Sequence, residues 1–217
     1  MTTLGSSLRN GKVPFAANDN VEKVNANLTV MEEGIAAKVR DILDILVIDQ
    51  DNDPNTKDTP RRVAKMMVHE IYGGRYTKEP KVTTFPNTKG LDELITTGPI
   101  TVRSNCSHHL CPIIGKCWIG IVPGELLAGL SKYNRIVDWF ARRPQIQEEL
   151  TIQIADHIEK TLKPKGLAVV MIAQHTCMTH RGVLEHGEAA MSTSVMRGVF
   201  RKDTAARAEF MHFVPKP

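Results

Sequence analysis

Two runs rich in β-branched residues, ITTGPITVRSNC ending at Cys106 and IIGKCWIGIVP beginning at Ile113, flank a short segment, Ser107 to Pro112. Such runs read as strands. A helical hairpin precedes them, and two helices and then further strands follow. With no strand-helix-strand alternation, this order predicts an α+β fold built on an antiparallel sheet.

Residues 1 to about 25 are polar, rich in Gly and Asn and without period, which predicts a flexible tail. The hairpin is expected over 26–75. In its first helix Thr29 and Glu32 form a capping box, and Met31, Ile35, Val39, Ile42 and Leu46 recur at helical spacing. After the loop DQDNDPNTKD, Thr59 and Pro60 open a second helix as N-cap and N1, and Gly73-Gly74 stop it. A second domain, holding the strands, is expected over 76–217. There Ser131 caps a helix that ends by Pro144, and a longer helix carries Ile146, Leu150, Ile154 and Ile158 as its apolar stripe. GLAVVMIAQH and AMSTSVMRGVF read as strands, and Asp203 starts a last helix.

Composition excludes several classes. Lys plus Arg exceed Asp plus Glu by only 28 to 24, so no overall basic field announces nucleic acid, and any anion site must be local. Four cysteines in 217 residues are too sparse for a disulfide framework and suggest a reducing compartment or metal ligation. The longest apolar stretch, near Gly166 to Ala173, falls far short of the roughly 20 residues of a membrane span. The expected location is the cytoplasm, with neither membrane nor nucleic acid as partner.

Cys106-Ser107-His108-His109 is the sharpest local feature, because thiolate and imidazole are the ligands zinc prefers. In an extended strand residues i and i+3 point to opposite faces, so the Cys-x-x-His pair demands a turn. A third ligand must come from elsewhere. Cys177 is the best candidate, just beyond the strand ending at His175, with Cys111 and Cys117 as competitors. Two cysteines and one histidine would leave a fourth position for water, and two thiolates would make the ion a gentle Lewis acid. His108 and His175 are then spare imidazoles suited to acid-base work near neutral pH.

Cations gather near helix starts. Arg62 and Lys65 follow Thr59, Lys132 and Arg135 follow Ser131, and Arg181 lies four residues after Cys177. A cation there opposes the helix dipole, and an anionic ligand such as a polyphosphate would remove the conflict. Gln147 and Glu148 lie off the Ile146–Ile158 stripe near the start of their helix.

This string of motifs resembles GTP cyclohydrolase I: TPRRVAKM at 59–66, Cys-x-His-His at 106–109, GLSKYNRIVDWFARRPQIQE at 129–148 and QHTCMTHRG at 174–182, in the family's order. The resemblance covers roughly residues 30–213. It implies a tunnelling fold, an antiparallel four-stranded sheet with helices on one side, here preceded by the N-terminal helical hairpin. It also implies a toroidal homodecamer with active sites between subunits. Carried over by position, Cys106, His109 and Cys177 would bind zinc, and His108 and His175 would be the acid-base pair. Arg62, Lys65, Ser131, Lys132, Arg135 and Arg181 would hold the triphosphate of GTP, and Gln147 and Glu148 would recognise guanine. The implied reaction opens the imidazole ring of GTP by attack of water at C8, with N7 protonated by His108. It releases formate, rearranges the ribose and closes to 7,8-dihydroneopterin triphosphate.

One residue departs from the family pattern. Ser107 stands where the family usually has Glu, and a serine carries no charge at neutral pH, so the electrostatics around His108 should differ. Two other readings compete. One is a binding module stapled by a closed zinc site, with Cys111 or Cys117 as fourth ligand. The other is a related tunnelling-fold enzyme, such as the nitrile reductase of the deazaguanine pathway, with a nucleophilic cysteine and a nicotinamide cofactor.

Overall fold

Asn27, rather than Thr29, starts the first long helix of the computed structural model, which describes residues 15–24, 26–185 and 190–215. Its Oδ1 accepts from Val30 N at 3.2 Å, so the cap lies two residues upstream of the expected capping box. The chain divides into two compact units, one ending at Lys78 and the other beginning at Glu79.

In the first unit α1 (Leu28–Ile45) packs against α2 (Thr59–Lys65). Pro60 sits in the first turn of α2, where its missing N–H would have no partner anyway, with Asp58 rather than Thr59 at the N-cap. The helix runs on as a π-helical segment, Met66–Ile71, which ends at its C-cap Tyr72 just before Gly73-Gly74, and those glycines open a separate helical turn. The apolar stripe of α1 is not buried, and Ile42, Ile45 and Leu46 are exposed.

The segment expected as a tail falls only partly on described residues. Residues 1–14 and 25 lie outside the described residues. In 15–24, Asn20 Nδ2 donates to the carbonyls of Gly74, Arg75 and Thr77, the Arg75 guanidinium donates to those of Ala16 and Ala17, and Val21 is buried. Polar side chains satisfying main-chain groups more than fifty positions away leave no periodic trace in sequence.

The second unit holds a small sheet, β1 (Thr84–Pro86) with β4 (Leu126–Ala128), and a larger one in the order β5-β2-β3-β6-β7. Its long strands, β2 (Ile95–Cys106), β3 (Pro112–Val122), β6 (Gly166–His175) and β7 (Met191–Gly198), are antiparallel neighbours. A two-residue fifth strand, β5 (Pro144–Gln145), adds in parallel to the end of β2. Among the described residues the sheet thus has five strands, where four were expected.

Two helices, α3 (Ser131–Ala141) and α4 (Gln147–Leu162), cover one face. Cys117, Ile119, Leu167, Val169 and Met171 pack there with Ile136, Val137, Leu150, Ile154 and Ile158. Helices were expected on that side alone. The alternate residues Trp118, Val122, Ala168 and Val170 are also apolar, and Phe200 and Phe210 cover them, the latter from α5 (Thr204–His212). A strand such as LAVVMIA, apolar on both sides, has to be covered on both. Asp203 caps α5 as expected, accepting from Ala205 N and Ala206 N. Ser131 makes no cap bond, because α3 already begins at that residue.

Candidate active site

The segment between β2 and β3 folds back at once. Cys106 N donates to Cys111 O at 2.8 Å, Leu110 N to Cys106 O at 2.8 Å, and Asn105 Nδ2 to Leu110 O at 3.0 Å. Leu110 adopts a φ of 55° to complete the turn. This is the turn that a Cys-x-x-His pair needs if both side chains are to serve one ion. The register of β3 on β6 pairs Ile113 with His175, so the chain leaving β6 emerges beside that turn. Thr176 Oγ1 donates to Pro112 O at 2.9 Å, and the helical turn Thr176–Thr179 carries Cys177.

One ligand atom each from Cys106, His109 and Cys177 lie within 4.8 Å of one another. No other group of three or more His, Cys, Asp or Glu among the described residues meets in this way. The two competitors for the third position are placed differently. Cys117 is wholly buried in the main core, where burial pushes its thiol up to about 12. Cys111 lies near the group, with Sγ directed at His109 O at 3.7 Å, but is not a member of it.

The donor set suits a borderline-soft divalent cation. A zinc tetrahedron with bonds of about 2.1–2.3 Å has edges of roughly 3.5 Å, so contraction by about 1 Å would bring these atoms to bonding positions. Burial, then the neighbouring Cys106 and Cys111 thiols, push the Cys177 thiol up. A cation would supply the positive charge that these crowded sulfurs lack.

His175 closes β6 half-buried, with Nε2 at 2.8 Å from Gln147 Oε1. Burial lowers its pKa, and the Glu148 carboxylate opposes that shift. Glu148 is exposed in the first turn of α4. His108 is exposed in the 107–109 turn, its ring edge-on to that of His109 with centroids 6.5 Å apart.

Gln147 differs from expectation. It is fully buried rather than off the apolar face, and its Nε2 donates to Met171 O, Met191 O and Thr193 Oγ1 at 3.0–3.1 Å. Thr151, one turn on, donates to Gln147 O at 2.8 Å and meets Thr193 Oγ1 at 2.7 Å. Sequence reasoning missed both threonines. A signal existed, since Gln147, Thr151, Ile154 and Ile158 are spaced as one helix face, which makes the two polar residues part of the stripe.

Ser131, Lys132 and Arg135 lie at the start of α3, the first and last exposed, and Arg181 is exposed beyond Cys177. None of these three cations has an ion-pair partner among the described residues. Arg62 and Lys65 belong to the first unit and are exposed on α2, where Arg62 approaches Asp58 at 3.6 Å. Among the described residues no helix is long and apolar enough to cross a membrane.

Comparison with known proteins gives these positions a context. A solved structure, archaeosine synthase QueF-Like in the apo form, aligns over 56% of this chain and 97% of its own with 12% identity and a TM-score of 0.38, too loosely to bear on the argument. The GTP cyclohydrolase 1 of Shewanella baltica (strain OS185) is 40% identical over 182 residues, 83% of each chain. That of Aliivibrio salmonicida is 39% identical over 181 residues, 83% of this chain and 82% of its own. The family model for GTP cyclohydrolase I matches residues 35–215, a span containing every residue of the Cys-His-Cys group, so the chain belongs to the GTP cyclohydrolase I family.

Proposed function

We propose that the chain is a zinc-dependent GTP cyclohydrolase I, converting GTP to 7,8-dihydroneopterin triphosphate with release of formate. The observation that carries this reading is the meeting of Cys106, His109 and Cys177, with no fourth His, Cys, Asp or Glu ligand in the group among the described residues. Three protein ligands and an open position are the pattern of catalytic rather than structural zinc. When bound, the ion supplies Lewis acidity and lowers the pKa of water at its open position.

The chain's own residues carry the rest. His108, exposed next to the ligand His109, protonates N7 of the purine and so makes C8 electrophilic. His175, whose pKa burial lowers, is neutral near pH 7 and accepts and returns protons in the ring-opening and rearrangement steps. Glu148 accepts hydrogen bonds from the ring N–H and exocyclic amine of guanine. Adenine, which lacks that pair of donors, would leave the carboxylate without them. Ser131, Lys132, Arg135 and Arg181, joined by Arg62 and Lys65, hold the triphosphate. Gln147 accompanies Glu148 at the start of α4, but its amide is turned into the sheet.

The same reading includes a tunnelling fold, preceded by a tail and a helical hairpin over 26–75, and a cytoplasmic homodecamer with active sites between subunits. Supporting it are the edge position of β7 and the exposed Ile42, Ile45 and Leu46. Large apolar side chains grouped at a surface favour association.

The test is incubation of the zinc-loaded protein with GTP, measuring formate and, after oxidation, pterin fluorescence. Absence of both products would overturn the reading.

A further inference from the structure

We infer that Gln147 is a positioning residue, holding the His175 imidazole in one orientation and one tautomer through a buried amide network that includes Thr193 and Thr151. The inference rests on the acid-base role proposed for His175 and gives Gln147 a task other than contact with the base.

The amide cannot be reversed. Its nitrogen faces two main-chain carbonyls, Met171 O at 3.1 Å and Met191 O at 3.0 Å, groups that only accept. Oε1 therefore points to His175, 2.8 Å from Nε2. An amide oxygen only accepts, so the proton of the neutral ring resides on Nε2 and Nδ1 keeps the lone pair. The hydroxyls agree with this assignment. Thr151 spends its proton on Gln147 O, so Thr193 donates to Thr151 and offers its own lone pairs to Gln147 Nε2.

The network is anchored on three elements: Gln147 and Thr151 on α4, Met171 on β6, and Met191 and Thr193 on β7. Gln147 is wholly buried, so water does not compete for its oxygen. A rigid acceptor behind an imidazole selects the tautomer and aims the opposite nitrogen, as a carboxylate does in many acid-base sites. Two residues from Cys177, such aiming decides where His175 can exchange a proton with a bound nucleotide.

The test uses zinc-loaded full-length protein with ¹⁵N-labelled histidine, and a His175→Gln spectrum identifies the His175 signals. Wild type should show a single neutral tautomer protonated at Nε2, and Gln147→Met should show a mixture. In turnover of GTP, Gln147→Met should lose roughly 10- to 100-fold in kcat. Its KM should stay within about threefold of wild type, as befits a residue that does not bind substrate. Thr193→Val, which leaves Gln147 in place but removes one anchor, should shift both readouts the same way by less, and it carries the test if Gln147→Met does not fold. An unchanged tautomer in the variants would overturn the inference, as would a rise in KM with kcat preserved. Wild type without turnover would sink the cyclohydrolase reading instead, and the tautomer measurement would still decide this one.

Discussion

Gly115 allows a direct test of how strand packing sets the metal site. It lies in β3 opposite Ala173 of β6, two residues along from the Ile113–His175 pair that brings the two ligand-bearing turns together. A Cβ at this position would stand 2.2 Å from Ile172 O, 2.4 Å from Ala173 Cβ and 2.5 Å from Ala173 Cα. Ordinary contact begins at 3.4 Å, so the worst overlap is 3.4 minus 2.2, or 1.2 Å. Two of the three obstacles are backbone atoms of a paired strand, which cannot swing aside as a side chain would. In Gly115→Ala, β3 and β6 must therefore separate by about 1 Å where they enter the site, at a cost near the upper end of the roughly 1–3 kcal/mol typical of overpacking.

That predicts a thermal midpoint lower by about 6–12 °C for a loss of about 3 kcal/mol. It also predicts a 10- to 100-fold weaker grip on zinc, on the order of what misplaced supporting groups cause in metal sites. Competition with a chromophoric chelator at a temperature where both proteins are folded measures the affinity, and calorimetry the midpoint. Gly129→Ala, where the added Cβ meets nothing within 4 Å, is the stability control. A destabilised Gly115→Ala that binds zinc as tightly as wild type would refute the claim that strand separation governs the ligand spacing.

Glu148→Gln keeps the shape of the side chain but halves its capacity to accept from guanine. It should lower kcat/KM for GTP by about 10- to 100-fold, the worth of a charge-assisted bond, measured by initial rates of formate release. Chelation should abolish turnover while far-UV circular dichroism is kept, and added zinc should restore activity; loss of the dichroism would mark a structural ion instead. His157 predicts a pH effect. Burial lowers its pKa, Glu79 opposing at 3.4 Å and Lys160 and Arg143 assisting. The unfolded chain then takes up the proton at higher pH than the folded one, so stability is full above the unfolded value of 6.5 and falls as pH drops through it. Urea unfolding between pH 8 and 5 should show that fall, and His157→Gln should flatten it.

Much of this fold is legible because its signals are local. The β-branched runs of β2 and β3, the Leu150-Ile154-Ile158 stripe and the Asp203 cap each specify an element within a dozen residues, and each has its element in the structure. The cap of α1 was misplaced because Asn27 and Thr29 are both good cap residues, and nothing local chooses between them. The fifth strand escaped notice because two residues carry no period, and the covering of the second sheet face because Phe200 and Phe210 meet it from the far end of the chain. Gln147 was misjudged for another reason. A polar residue next to an acidic one at a helix start reads as solvated, and only its phase with Thr151 marks it as inward-facing.

The site depends on register more than on any single motif. Cys106 and Cys177 are brought together by an uninterrupted antiparallel pairing, from Ile113 with His175 to Val122 with Gly166. A slip of one residue would turn Cys117, Ile119 and Ile121 from the α3–α4 side of the sheet to the other and expose the alternate set to the wrong partners. The core therefore forbids the slip, and in doing so it fixes which residue of the β6 exit faces the 107–109 turn. The ligands themselves contribute little to that choice, because without an ion burial and the neighbouring thiols disfavour the thiolate of Cys177. Apolar packing of β3 from Cys117 to Val122 and of β6 from Gly166 to Met171, with Ile113 and Ala173 buried beside Cys106, is thus what holds a polar, metal-ready triangle at their common end.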